Sequence, residues 1–328
     1  MTEKRYLVTG GLGFIGSALV RRLVKAGHRV RVLDNQFRGS LSRLAGVRRK
    51  IEFIKADVCN ARAVREALKG MDCVWHLASI NGTRLFYEKP ETVLEVGVKG
   101  TLNVVQGCIK ENVAELMLAS SSEVYQTAAV IPTGEKVALS IPDPLNPRYS
   151  YAAAKIISEI MAINYGRSRF KRVVIFRPHN VYGPDMGSEH VIPQFVLRMH
   201  RLCRDSSGGV IGFPIQGSGK ETRSFVFIED FIDGLMLLGQ RGVHLGIYHV
   251  GSAEELTIER VAREVGRYFK RKIRIIPRQL SRGSPLRRCP DISRIAALGY
   301  RPKYKFRDGL PVTARWYVEN ARRYPQEG

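Results

Sequence analysis

The feature that most constrains this chain is a glycine-rich turn at residues 9–16 (TGGLGFIG), set between an apolar run and an amphipathic stretch. A strand pattern precedes the turn, and a helix pattern, Phe14–Ala26, follows it. Gly10 permits a tight turn, Gly13 lets a pyrophosphate approach the backbone, and Gly16 allows the helix to pack closely on the strand. Because the start of that helix offers free N–H groups and a positive dipole end, the turn predicts a dinucleotide-binding site.

Strand and helix patterns alternate through the first half of the chain. The expected strands are Arg5–Thr9, Val30–Leu33, Ile51–Lys55, Cys73–Leu77, Leu116–Ser120 and Arg172–Phe176, and further helices are expected at Thr92–Lys110 and Ser150–Arg167. This alternation predicts an α/β fold with a doubly wound parallel sheet, the Rossmann arrangement. We expect residues 1–177 plus 222–250 to form the dinucleotide-binding domain. Residues 178–221 plus 251–328, which are richer in glycine and proline, should form a smaller substrate-binding region.

The composition excludes several classes of protein. With 44% hydrophobic and 25% charged residues in 328, the chain is neither disordered nor fibrous. No apolar run reaches the roughly 18 residues of a membrane span, and none resembles a signal peptide, so we expect a cytoplasmic protein that has no membrane contact. Five scattered cysteines without a CxxC pair predict a reducing compartment and no metal site.

The net charge of +23 is concentrated near the end of the chain. From Arg263 onward there are 18 Lys and Arg against five Asp and Glu. Such a surface can attract polyanions. No nucleic-acid-binding module accompanies the charge, so we interpret it as a solvated basic surface and expect no nucleic-acid partner.

A carboxylate follows the glycine turn at the spacing that dinucleotide sites use. Asp34 closes the second expected strand, where it can bind the ribose hydroxyls of NAD and repel the 2′-phosphate of NADP. The positive charge of Arg38 nearby slightly opposes that preference. Asp57 and Val58 follow the third strand and can reach the adenine, and residues 76–79 (HLAS) end the fourth strand beside the cofactor.

A serine-rich strand end and a Tyr-x-x-x-Lys pattern contain the candidate catalytic residues. Residues 120–125 (SSSEVY) end the fifth strand, at the sheet edge where ligands bind in open α/β folds. Tyr151 and Lys155 are i,i+4 neighbours on one helix face. A lysine ammonium beside a phenol favours the phenolate, so we expect a lowered pKa for Tyr151 and a role for it as acid and base.

These motifs together resemble the extended short-chain dehydrogenases/reductases of the nucleotide-sugar epimerase/dehydratase family, in particular enzymes similar to UDP-glucose 4-epimerase. The resemblance covers essentially the whole chain and continues through residues 177–184 (RPHNVYGP), 223–230 (RSFVFIED) and 288–292 (RCPDI). It implies NAD as cofactor and a nucleotide sugar, with a UDP-sugar favoured, as substrate. It also implies a homodimer formed by the helices Thr92–Lys110 and Ser150–Arg167, whose surplus apolar residues are Val93, Val96, Val104, Ile156, Ile160 and Ile163.

The residues and the resemblance together give a candidate site without a metal. The expected catalytic residues are Ser121, Glu123, Tyr151 and Lys155. The expected cofactor-binding residues are Gly10, Gly13, Phe14, Ile15, Gly16, Asp34, Asn35, Asp57, Val58, Leu77, Ala78, Ser79, Tyr151 and Lys155. The expected substrate-binding residues are Arg84, Ser121, Asn180, Arg223 and Arg288, of which Arg223 and Arg288 match the family's diphosphate-binding arginines.

Two positions depart from the family pattern. Gly97 stands where a helix motif usually has asparagine, and Gln126 stands where glycine usually follows the Val-Tyr pair. Neither belongs to the acid/base pair. We therefore expect the departures to change the shape of the pocket and to leave catalysis intact.

The resemblance leaves the reaction open. In this family the tyrosine takes the C4 hydroxyl proton while NAD takes the hydride, which gives a 4-keto sugar. We favour C4 epimerisation of a UDP-sugar, since it needs only Ser121, Tyr151 and room for the sugar to rotate. Dehydration needs an acid where this chain has Ser122, while decarboxylation of UDP-glucuronate needs a nearby glutamate, as Glu123 is, and a cation, for which Arg84 is the candidate. A non-catalytic RNA-binding member of the fold is disfavoured by the intact acid/base residues.

Overall fold

The computed structural model describes residues 3–205, 208–280, 283 and 285–324. In chain order its strands are β1 (Arg5–Thr9), β2 (Arg29–Asp34), β3 (Ile51–Lys55), β4 (Cys73–His76), β5 (Glu115–Ala119), β6 (Arg172–Pro178), β7 (Val181–Tyr182), β8 (Ile211–Gln216), β9 (Thr222–Ser224), β10 (Val226–Phe227), β11 (Gly246–Val250), β12 (Glu255–Thr257), β13 (Ile273–Arg278) and β14 (Arg287–Arg288). Seven of them form one parallel sheet in the order β11-β6-β5-β4-β1-β2-β3. This order confirms the predicted doubly wound fold and places the strand-order reversal, where ligands bind, between β1 and β4.

Helices cover both faces of this sheet. They are α1 (Phe14–Lys25), α2 (Ala61–Leu68), α3 (Thr83–Glu88), α4 (Pro90–Leu94), α5 (Gly100–Lys110), α6 (Ser150–Arg169), α7 (Val191–Arg204), α8 (Ile228–Arg241), α9 (Ile258–Tyr268), α10 (Ser293–Ala297) and α11 (Phe306–Glu319). Short 3-10 turns lie at Leu41–Lys50, Ser122–Tyr125, Pro147–Tyr149 and Ala321–Arg323.

Neighbouring residues of a sheet strand enter different apolar cores. Leu7 packs in a core with Val64 of α2, whereas Val8 packs in the opposite core with Leu19 of α1 and Leu235 of α8. All five side chains are fully buried. Because both faces are covered, the strands are apolar throughout, which is why the sequence shows continuous apolar runs instead of alternation.

The helix expected at Thr92–Lys110 is interrupted by a π-helical segment, Glu95–Lys99, between α4 and α5. Gly97 lies in this segment, and a Cβ atom there would come within 2.6 Å of the Cβ of Ala154 on α6. The Gly97 carbonyl accepts hydrogen bonds from the hydroxyls of Thr101 and Ser158. The departure from asparagine at this position therefore lets α6, which carries Tyr151 and Lys155, pack directly on the neighbouring helix.

Short strands of the second half bring distant residues together. β9 pairs antiparallel with β12 and parallel with β14. In the second pairing Arg223 is the register partner of Arg288. This small sheet therefore sets two of the predicted substrate-binding arginines side by side.

The predicted dimer helices expose an apolar set that only partly matches the expected one. Val93 and Val104 are buried within the chain, because they face its own core. Ile160 on α6, also of the expected set, is exposed, as are Leu94 on α4 and Ile157 on α6, which the expected set did not include. Homodimerisation through these faces stays a prediction.

In the described ranges no helix has both the length and the apolar character needed to cross a bilayer. Nor does this part of the chain contain a group of three or more His, Cys, Asp or Glu side chains that could hold a metal ion.

Candidate active site

The turn between β1 and α1 has the tight packing that its glycines predict. Gly10 has φ +69°, and a Cβ atom there would lie 2.8 Å from the backbone nitrogen of Ala78. A Cβ atom on Gly16 would lie 2.1 Å from the Gly10 carbonyl oxygen. Gly13 precedes the first residues of α1, Phe14 and Ile15, and no side chain caps the helix. The backbone at the start of α1 is thus open to an anionic group, as a dinucleotide pyrophosphate requires.

Asp34 lies at the carboxyl end of β2, with its side chain buried. Its carboxylate accepts hydrogen bonds from the backbone N–H groups of Leu12, at 3.0 Å, and Gln36, at 2.7 Å. Each oxygen keeps a second lone pair for a ribose hydroxyl. Arg38, which is expected to oppose the preference for NAD slightly, is ion-paired with Glu189 at 3.3 Å.

The adenine end of the predicted cofactor site is organised by Asp57. The Asn35 side-chain amide donates to the Asp57 carboxylate at 2.7 Å, and the Cys59 backbone N–H donates to its other oxygen at 2.8 Å. Burial by itself would raise the pKa of Asp57, but these hydrogen bonds lower it on balance. Val58, the next predicted contact, lies against Gly100 at the start of α5.

Replacing Asp34 by asparagine should narrow the preference for NAD over NADP. The wild-type protein should bind NAD at least about tenfold more tightly, since a carboxylate repels a 2′-phosphate and each tenfold corresponds to about 1.4 kcal/mol. Asparagine keeps an acceptor for the Leu12 N–H and removes the charge. Titration of both cofactors against both proteins measures the effect. Equal affinities of the wild type for NAD and NADP would refute the role given to Asp34.

The predicted acid/base residues come together at the carboxyl end of β5. Tyr151, on the first turn of α6, is buried and stacks on Phe86 with ring centroids 5.0 Å apart. Lys155 donates from Nζ to the Ala119 carbonyl at 2.8 Å, and its Nζ lies 5.6 Å from the centre of the Tyr151 ring. Ser121 accepts from the Glu123 N–H at 3.1 Å, which fixes the turn that follows.

The pKa of Tyr151 is raised, to about 12, where the sequence predicts a lowered value. Burial is the main cause; hydrogen bonds with Ser121 and Ser79 oppose the rise, and the charge of Glu123 adds to it. Burial also lowers the pKa of Lys155, to about 8, although the charge of Glu159 partly offsets this. In the chain alone the phenol is therefore protonated at neutral pH, and a bound group that brings positive charge or a hydrogen-bond donor would favour the phenolate.

Glu123 and Arg288 form an ion pair in the predicted substrate pocket, with 2.5 Å between Glu123 Oε1 and Arg288 Nη1. Burial favours the protonated form of Glu123, but the charges of Arg288, Arg148 and Arg223 keep its pKa below the ordinary value. Glu123 is therefore an ionised carboxylate. The second Arg288 nitrogen, Nη2, is buried without a protein partner in the described part of the chain.

Arg223 lies beside this pair and is held by the backbone. It donates to the carbonyls of Thr222 and Pro285, at 2.7 Å each. Burial, followed by the charge of Arg288, lowers its pKa to about 10. Two adjacent guanidinium groups, of which that of Arg288 is buried, suit a diphosphate.

Two other predicted substrate residues are placed differently. The Arg84 side chain is exposed and lies near Glu189, at 3.5 Å, and Glu88, at 3.9 Å. It is thus outside the group around Glu123, because α3 turns it toward the surface. Asn180 donates to the Ser224 carbonyl at 2.8 Å and has a left-handed φ of +39°. Its amide oxygen keeps its acceptor capacity for a ligand.

Gln126 shows why a residue other than glycine is tolerated after the Val-Tyr pair. Its φ is +50°, the left-handed conformation that favours glycine. Its side-chain amide donates to the Glu123 carbonyl at 2.6 Å. This contact stabilises the turn and helps to hold Glu123 toward Arg288.

Arg148 is a residue of this pocket that the sequence analysis misses. It lies on the 3-10 turn Pro147–Tyr149, three residues before Tyr151. Its charge acts on both Glu123 and Arg223. The only sequence signal is an arginine just upstream of the Tyr-x-x-x-Lys pattern, in a segment whose apolar residues show neither helical nor strand periodicity.

Comparison with known proteins gives matches over nearly the whole chain. A family model described as the NAD dependent epimerase/dehydratase family matches residues 6–251. UDP-glucuronic acid decarboxylase 6 of Arabidopsis thaliana is 33% identical over 318 residues, which are 95% of this chain and 88% of that protein. The crystal structure of DesIV, a dTDP-glucose 4,6-dehydratase from Streptomyces venezuelae with NAD and TYD bound, has a TM-score of 0.85 at 31% identity and covers 98% of both chains. The UDP-glucose 4-epimerase of Thermus thermophilus in complex with NAD has a TM-score of 0.82 at 27% identity, covering 95% of this chain and 98% of that one.

Proposed function

The chain belongs to the NAD-dependent epimerase/dehydratase family, and from this premise we propose that it decarboxylates a UDP-linked uronic acid through a 4-keto sugar. The observation that carries the proposal is the ionised Glu123 paired with Arg288 beside Tyr151. A similar reaction is named for the Arabidopsis relative at 33% identity.

The glycine turn and Asp34 fit the family's cofactor. The backbone at Gly10, Gly13 and Gly16 leaves the start of α1 open to a pyrophosphate, and the Asp34 carboxylate would hold the ribose hydroxyls. When bound, NAD supplies a hydride acceptor for C4 of the sugar, and its positive ring also favours the Tyr151 phenolate.

Tyr151 then acts on the C4 hydroxyl group. Its phenolate oxygen takes the hydroxyl proton as the C4 hydride leaves, while Ser121 donates a hydrogen bond to the developing carbonyl oxygen. With C4 oxidised, the C5–C6 bond can break as CO₂ departs, because its electron pair passes to the C4 oxygen. Tyr151 and Ser121 stabilise that oxygen as an enolate.

Glu123 and Arg288 act on the C5 side of the sugar. The negative charge of Glu123 repels the substrate carboxylate and so favours its loss as neutral CO₂. After the loss, the pair offers a polar contact at which a water can bind and protonate C5. The resulting 4-keto pentose would then take back the hydride at C4 and the Tyr151 proton at the C4 oxygen, which would give the UDP-pentose and restore the oxidised cofactor. Lys155 orients the nicotinamide ribose, and Arg223 and Arg288 Nη2 bind the diphosphate.

A second candidate, C4 epimerisation, is favoured by the sequence analysis and by the likeness to the Thermus enzyme. It uses Tyr151 and Ser121 and gives Glu123 no chemical task. Dehydration is disfavoured, because Ser122 stands where the C6 hydroxyl would need an acid and its side chain is buried.

Incubation with a panel of UDP-, dTDP-, GDP- and CDP-sugars, followed by product NMR, tests the proposal. We expect UDP-uronic acids to be consumed with loss of one carbon, and the neutral hexoses to persist. Inversion of UDP-glucose at C4 would establish the second candidate instead.

A further inference from the structure

Three arginines surround Glu123, and they differ in what they bind. Arg288 pairs with Glu123, and Arg223 donates to two backbone carbonyls. Among the described residues, no hydrogen bond or ion pair engages the Arg148 guanidinium, and its Nε atom is buried without a partner. A buried donor without an acceptor is unfavourable unless a ligand supplies one.

Arg148 is nevertheless held in place. Its backbone N–H donates to the Asn146 side-chain oxygen at 3.0 Å, which starts the 3-10 turn before α6. Its Cδ atom lies close under Gly283, where a Cβ atom would approach it to 3.3 Å. The stem is therefore packed, while the charged end has no hydrogen-bond partner among the described residues.

We propose that Arg148 binds the carboxylate of the sugar and so selects a uronic acid over a neutral hexose. The inference rests on the proposed function. Tyr151 acts at C4, and the carboxylate is attached to C5, the adjacent ring atom. Arg148 lies on the turn three residues before Tyr151 and its charge acts on Glu123, which the proposed function assigns to the C5 side of the sugar.

This role makes a kinetic prediction. The pairing between Arg148 and the carboxylate exists in the bound substrate and is lost when neutral CO₂ forms. Removing it therefore weakens substrate binding more than it weakens the chemical step, so Arg148→Met should raise KM for UDP-glucuronate without a matching loss of kcat.

Binding measurements test the assignment independently of turnover. In a Tyr151→Phe background with NAD present, calorimetry is carried out with UDP, UDP-glucose and UDP-glucuronate. Arg148→Met should weaken UDP-glucuronate binding by about 10- to 100-fold, the range of a charge-assisted hydrogen bond, and leave UDP and UDP-glucose within about threefold. Arg148→Lys should recover part of the loss, since it restores charge but not the planar donor pair. Arg62→Met, an exposed arginine on α2, is the matched control.

The outcomes separate this inference from the proposed reaction. Equal weakening of all three ligands, or no weakening of UDP-glucuronate, overturns the role of Arg148. A wild-type protein that binds UDP-glucuronate no better than UDP-glucose also overturns it. Selective binding that is lost in Arg148→Met supports the role even if no CO₂ is released, and in that case only the proposed reaction fails.

Discussion

Replacement of Tyr151 by phenylalanine should lower kcat by a factor of about 10² to 10⁴, the usual contribution of a positioned proton-transfer group. The phenol oxygen is lost, while the ring stays buried and stacked on Phe86. NAD should therefore remain bound. Steady-state kinetics and the absorbance of the purified protein measure the two effects together.

A matched control for this variant is Tyr87→Phe. Tyr87 is on α3 and exposed, so the loss of its hydroxyl should leave turnover and cofactor content unchanged. Undiminished product formation by Tyr151→Phe would overturn the mechanism.

Replacement of Glu123 by glutamine should lower decarboxylation by at least about 10²-fold. Glutamine keeps the shape and an oxygen that accepts from Arg288, but it loses the negative charge that repels the substrate carboxylate. Rates of CO₂ release measure the change, with the exposed Glu319→Gln as the control. A Glu123→Gln protein with near wild-type turnover would favour epimerisation, because that reaction makes no use of the carboxylate.

Much of the fold follows from local sequence. β1 and β3 have the predicted bounds, because each apolar run is delimited by glycine or polar residues. The π segment at Glu95–Lys99 is different, since its apolar spacing fits an ordinary helix. It depends on contact with α6, which only the packed structure supplies.

The candidate site likewise has residues that the sequence identifies and arrangements that only the folded chain creates. Tyr151 and Lys155 are recognisable because their spacing lies within one helix. The pairing of Arg223 with Arg288 depends on the register of β9 and β14, two short strands far apart in sequence. The raised pKa of Tyr151 depends on burial, and the lack of a partner for Arg148 Nε among the described residues depends on where the neighbouring acceptors point. None of these is a property of a sequence pattern.

The most direct test of the central claim is NMR of the wild-type protein with NAD and UDP-glucuronate labelled with ¹³C at C6. We predict that the label leaves the sugar and appears as CO₂ and bicarbonate, while an unlabelled UDP-pentose accumulates. Retention of the label in a UDP-uronic acid inverted at C4 would contradict the account.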